Sequence, residues 1–134
     1  MSFEEYLRQL EAAIPPSPHI RLLRIESRCF SNVHGRVKVI IAFDDGSELH
    51  LAQVVSLEKA DPVGKYGYHY QDEEGNLVFR YDNKPHFRDL PTYPDHKHMP
   101  DGVGPAYRPG IQDVVAEALA YVASQNHKQE ATSD

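Results

Sequence analysis

The stretch "RVKVIIAFDDGSELHLAQVVSLE", residues 36–58, decides the fold. Two runs rich in β-branched residues flank Asp44, Asp45 and Gly46, a combination that predicts a hairpin. Val37, Val39, Ile41 and Phe43 share one face of the first run, and Leu49, Leu51, Val55 and Leu57 share one face of the second. One apolar side per strand predicts an antiparallel sheet with helix packed on that side.

Working outward, "RLLRIESRCF" (21–30) predicts a preceding strand, joined through the turn "SNVHG". A second hairpin follows, with "KYGYHYQ" (65–71) and "LVFRYD" (77–82) joined at "DEEGN". If Glu74 and Gly75 make a two-residue turn, His69 stands opposite Arg80 on one face. The start reads as a helix, with Ser2 as N-cap, Glu5 three positions on, and "PPSP" to end it. Near the end, Ile111, Val114, Val115, Ala118, Leu119 and Val122 form the apolar stripe of a second helix. Residues 83–109 hold six of the ten prolines, which predicts a long irregular loop. The expected fold is a single α+β domain over 1–134. It has an N-terminal helix, an antiparallel sheet of about five strands, a long histidine-rich loop and a C-terminal helix packed on the sheet. The tail is expected to fray from about residue 125.

The formal net charge is −6, which opposes a general nucleic-acid coat or a membrane-surface role because the long-range field repels phosphate. The charge is unevenly spread. Between Arg80 and His98 four basic residues outnumber three acidic ones, so that loop carries +1 and the rest of the chain −7. One cysteine, Cys29, permits no internal disulfide and fits a reducing cytosol; in a strand-like run it reads as a buried structural thiol. The acidic amphipathic start is unlike a signal peptide, and no apolar run reaches transmembrane length. The expectation is a soluble cytoplasmic protein without a membrane partner.

The loop "RYDNKPHFRDLPTYPDHKH" (80–98) gathers the residues that could do chemistry. Cleaving RNA without a metal needs a base for the 2′-hydroxyl proton, an acid for the leaving oxygen, and cations beside the phosphoryl group. His69, His86, His96 and His98 are the acid–base candidates, because histidine titrates near neutrality. Arg80 and Lys97 are the phosphate contacts, Asp82 orients a histidine, and Lys84 adds charge. Tyr68, Tyr81 or Phe87 could stack on a base, although Tyr66, Tyr68 and Tyr70 on one strand face also read as packing. A second reading is a metal site. His96 and His98 point the same way on an extended segment and could share an ion with His86, and Asp95 or His69 are further candidates. No spacing matches a zinc finger or a metalloprotease helix, so no cofactor is expected. The plain alternative is a solvated polar loop. His19, His34, His50 and His127 are dispersed and read as structural or exposed.

Residues 66–98 also resemble the TumE family, toxins of bacterial toxin–antitoxin systems. The family pattern has Tyr-His-Tyr on a strand, then Arg-Tyr-Asp-Asn-Ala-Pro-His-His, then Pro-His-His-Lys-His. This chain matches at Tyr68, His69 and Tyr70; at Arg80, Tyr81, Asp82, Asn83, Pro85 and His86; and at Pro94, His96, Lys97 and His98. It departs at Lys84, Phe87 and Asp95, which stand where the family carries alanine and two histidines. The resemblance implies a small cytoplasmic toxin whose cognate antitoxin is often a DNA-binding protein. By analogy with other small toxins it implies RNA as target. The resulting expectation is a type II toxin that cuts RNA without a metal. The alternative is a non-enzymatic module that inhibits its target through the histidine-rich loop.

Overall fold

The computed structural model describes residues 1–132, with side chains through residue 128. In chain order the elements are α1 (Phe3–Ala12), β1 (Ile20–Cys29), β2 (His34–Phe43), β3 (Glu48–Ser56), β4 (Val63–Gln71), β5 (Leu77–Asp82), β6 (His96–Met99), β7 (Gly102–Pro105) and α2 (Ile111–Thr132). All seven strands form one antiparallel sheet in sequential order. The class is α+β, and the sheet has seven strands rather than about five. The two additional strands arise inside the proline-rich segment expected to be irregular. Residues 96–99 are free of proline and can offer every N–H to a ladder, while Pro105 ends the edge strand, where proline is tolerated. Prolines 85, 91, 94, 100 and 109 all lie outside strands. Helix α2 is continuous to Thr132, past the point where fraying was expected; residues 133 and 134 of that tail lie outside the described residues.

The β2–β3 and β4–β5 hairpins each turn through three residues, with a glycine in the left-handed region at the third. Gly46 and Gly75 each have φ +84°, and Phe43 N–H···O Ser47 (3.0 Å) and Asp72 N–H···O Asn76 (2.9 Å) close the loops. The β4–β5 turn is therefore one residue longer than the two-residue turn the sequence suggests. A register shift between Tyr70 and Gln71 compensates, and His69 pairs with Arg80 after all.

The core lies on one face of the sheet. Val37, Val39, Ile41 and Phe43 of β2, Leu49 and Leu51 of β3, and Tyr68, Tyr70 and Phe79 beyond them are buried against both helices. Phe3 and Leu10 come from α1, Ile14 from just past its C-cap, and Val114, Val115, Ala118 and Val122 from α2. Each such apolar side chain contributes about 1.5–3 kcal/mol relative to exposure. A tyrosine-rich core works because every hydroxyl finds a partner. Tyr66 donates to Asp95, Tyr81 to Glu117, Tyr68 accepts from Gln53, and Tyr70 pairs with Ser47. Ser2 caps α1 as expected, its Oγ accepting from Glu5 N–H at 3.1 Å. Cys29 is exposed, a correction to the expected buried thiol: it ends the edge strand β1, whose last four residues are open to solvent.

Helix α1 approaches the sheet closely because Gly35 lacks a side chain. A Cβ there would stand 2.6 Å from the Phe3 ring and 2.7 Å from the Arg28 carbonyl oxygen. The ring can shift, but the backbone carbonyl cannot. Gly35→Ala is accordingly expected to cost about 1–3 kcal/mol as an overpacked site. Urea unfolding checks this, and an unchanged midpoint would contradict it.

Candidate active site on the open face of the sheet

With both helices on one face, the opposite face of the sheet is left for other work. Strand alternation sends Arg36 and Lys38 of β2 to that side, away from Val37 and Val39. Register then builds two rows across the sheet. His50, His69, Arg80 and His98 align directly from β3 to β6. In the next row Lys38, Ala52, Gly67, Asp82 and His96 align from β2 to β6.

Ala52 and Gly67 are small, and above them lies a groove of about 560 Å³. Arg28, Arg36, Lys38, Lys65, Arg80 and Lys84 line it, against the single acid Glu26 among the described residues. A chain of net charge −6 thus carries a concentrated positive surface on one face. Gly67 has a definite task there. A Cβ at that position would stand 2.4 Å from Arg80 Nη2, so the guanidinium lies across the glycine.

Asp82 lies beside the groove, bonded to Arg80 and Lys84 of its lining. It is buried, at 3% side-chain exposure, as is His96 at 1%, while His98 is partly open at 28%. One Asp82 oxygen accepts from Lys84 N–H at 3.0 Å and lies 2.9 Å from His96 Nε2. The other accepts from Arg80 Nε at 3.0 Å and lies 3.3 Å from His98 Nε2. The two Nε2 atoms are 3.1 Å apart. Burial alone would push the Asp82 carboxyl up, but the Lys84 N–H, His96 and the Arg80 guanidinium outweigh it and hold it below the ordinary range. Burial lowers the His98 pKa, aided by His96 and Arg80 and opposed by Asp82. Burial likewise lowers His69, with Arg80 opposite it acting in the same direction.

The expected site residues divide by strand face. His69, Arg80, Asp82, His96 and His98 come together on the open face. Lys84 lines the groove. Three others turn away, because they alternate with the site residues along the same strands. Tyr68 is 1% exposed in the core, and Tyr81 is buried there with its hydroxyl on Glu117. Lys97 crosses the core side to Glu117 at 2.7 Å, over the Phe79 and Tyr81 rings. Both tyrosine rings are buried away from the open face, and the Lys97 ammonium is engaged by Glu117 on the core side. Phe87 packs edge-on against His96 and His98, with centroids at 4.8 and 5.7 Å, so it closes the cluster rather than offering a free stacking surface. His86 is exposed and outside the group whose donor atoms converge. Asp95 is held by the Tyr66 hydroxyl. His50, read from sequence as dispersed, lies in the groove beside His69.

A family model described as "Toxin TumE" matches residues 8–126. The chain belongs to the TumE toxin family. Neither a curated protein nor a solved structure matches the chain. The TumE match spans all seven strands, so every residue of the open face falls inside it. Membership of TumE makes the chain a toxin component, with an antitoxin as its partner in general. No helix among the described residues is long and apolar enough to cross a membrane.

The field of Arg80 on this TumE face can be read directly. His69 is expected to titrate below the ordinary histidine value of about 6.5. Arg80→Gln should raise its midpoint part of the way back, since burial remains. Ring-proton NMR titration measures both, and a native midpoint at or above that value would contradict the assignment.

Proposed function

We propose that this TumE toxin acts on RNA from the cytoplasm, as the toxic half of a type II pair whose antitoxin is a DNA-binding protein. The observation that carries the reading is Arg80, flanked in register by His69 and His98 on the open, basic face of the sheet. Strand cleavage needs one proton removed and one delivered on opposite sides of a phosphate. A base takes the 2′-hydroxyl proton and O2′ bonds to phosphorus. The P–O5′ bond breaks and the leaving oxygen receives a proton, giving a 2′,3′-cyclic phosphate and a 5′-hydroxyl. Arg80 is the group that would hold the phosphoryl charge; its Nε is spent on Asp82 while its terminal nitrogens lie across Gly67 beside the groove, which supports the role. His69, biased towards its neutral form, is the proton carrier on one side. The Asp82–His96–His98 cluster serves the other side.

The groove supplies affinity without base reading. Its lining carries six cations, and its one tyrosine, Tyr66, is buried, so binding is expected to be electrostatic, tolerant of sequence and steeply salt-dependent.

The test is purified protein on single-stranded RNA. Native protein should shorten it, and Arg80→Ala should slow cleavage by about 10²–10³-fold, the usual cost of removing one preorganised charge-stabilising donor. Gly67→Ala separates positioning from folding. Its Cβ meets only the flexible end of Arg80, so stability should stay within about 0.5 kcal/mol of native while cleavage falls as in Arg80→Ala. RNA bound but left intact by native protein would favour the non-enzymatic module. RNA neither bound nor cut would remove the reading.

A further inference from the structure

Among the described residues, Asp82, His96 and His98 form the one group of three potential ligands whose donor atoms converge. His96 Nδ1 lies 2.9 Å from the Pro94 carbonyl oxygen, which can only accept, so Nδ1 carries the proton. In neutral His96 the lone pair of Nε2 is therefore aimed at the other two groups. It meets an Asp82 oxygen at 2.9 Å and His98 Nε2 at 3.1 Å, and His98 Nε2 meets the second carboxylate oxygen at 3.3 Å. Electron-rich atoms this close, on side chains 1% and 3% exposed in two cases, need positive charge between them. A proton on His96 Nε2 answers the carboxylate contact and leaves the others shared. One cation answers all three.

From this geometry we infer that Asp82, His96 and His98 hold a divalent transition-metal ion, zinc being the probe of choice. The set is two imidazoles and a carboxylate, a facial ligand arrangement that leaves coordination positions open. With metal–ligand bonds of about 2.1 Å, the 3.1 Å between the two Nε2 atoms and the 2.9 Å from His96 Nε2 to one Asp82 oxygen correspond to angles of roughly 90–95°, as a facial set requires, and the second carboxylate oxygen lies 3.3 Å from His98 Nε2. The surrounding contacts are those that orient ligands. The Pro94 carbonyl fixes the His96 tautomer, and the Lys84 N–H and Arg80 Nε hold the carboxylate. Phe87 covers His96 and His98 on one side, and the partial exposure of His98 marks where solvent or a phosphate oxygen reaches the ion.

Sequence spacing suggests His86 as the third ligand, but the strand pairing supplies Asp82 in its place: Asp82 lies directly opposite His96, and His86 is exposed outside the group. The inference rests on the RNA-cleaving reading only for its purpose. A bound ion would polarise a phosphoryl oxygen or ionise a bound water beside Arg80. That replaces the metal-free chemistry the residue types alone suggest.

The experiment measures binding without RNA. Native full-length protein is equilibrated with zinc, dialysed and assayed for metal content, and its thermal melt is followed as zinc is added. Native protein should retain about one zinc per chain and melt higher with it. His98→Ala, chosen because His98 is partly exposed and its loss spares the fold, should bind zinc more weakly by more than the roughly 10–100-fold that losing an outer-shell partner costs. His86→Ala should bind as native does. Substoichiometric zinc in folded native protein, or His98→Ala binding as tightly as native, overturns the inference. Zinc bound with RNA uncut leaves the metal site standing and removes the nuclease reading; RNA cut equally well by metal-free protein keeps the nuclease reading and overturns the catalytic purpose given to the ion.

Discussion

The open face depends on one buried carboxylate. Asp82 gives up water and would cost several kcal/mol as an unpaired charge. The protein offsets this with a backbone N–H from Lys84, the Arg80 guanidinium and two imidazoles, all within 3.3 Å. Those partners are in turn fixed by Asp82. Arg80 is held across Gly67, His96 is locked between the carboxylate and the Pro94 carbonyl, and Phe87 closes over both histidines. Removing the carboxylate would leave Arg80 Nε without its partner and His96 held by the Pro94 carbonyl alone.

The sheet separates stability from function by the parity of its residues. Odd positions on β2, β3 and β5 and even positions on β4, from Val37 to Tyr81, build the core with both helices. Even positions on β2 and β5, with His69's row between them, carry the groove charge and the site. The division lets an acidic chain present a positive surface. The acidic total reflects helices, turns and edges, whereas the groove gathers six cations around one acid. A phosphate chain repelled at long range by the net charge can still be held at short range, within the Debye length of about 8 Å at physiological salt.

Much of this was legible in the sequence, and the rest fails for identifiable reasons. The hairpin at Asp44–Gly46, the Ser2 cap and the α2 stripe all rest on local signals, and all appear in the fold. Alternation alone could also have removed Tyr68, Tyr81 and Lys97 from the site, since each sits between residues that face the other way. Arg36 and Lys38 are readable too, opposite the apolar face of β2, but only the pairing of β2 with its neighbours gathers them with the other cations into one groove. Strand β6 was not legible. Four residues flanked by prolines carry no periodic signal, and only the β5–β6 register reveals that Asp82 faces His96 while His86 does not belong. Residue types singled out the loop, but long-range pairing decides which of its side chains meet.

The most direct measurement is growth after tight induction of the native protein, beside Asp82→Asn and His86→Ala variants confirmed as folded by circular dichroism. The account predicts arrest by the native protein and by His86→Ala, and continued growth with Asp82→Asn. Arrest by Asp82→Asn equal to that of the native protein would contradict the claim that the Asp82-centred face is the toxic site.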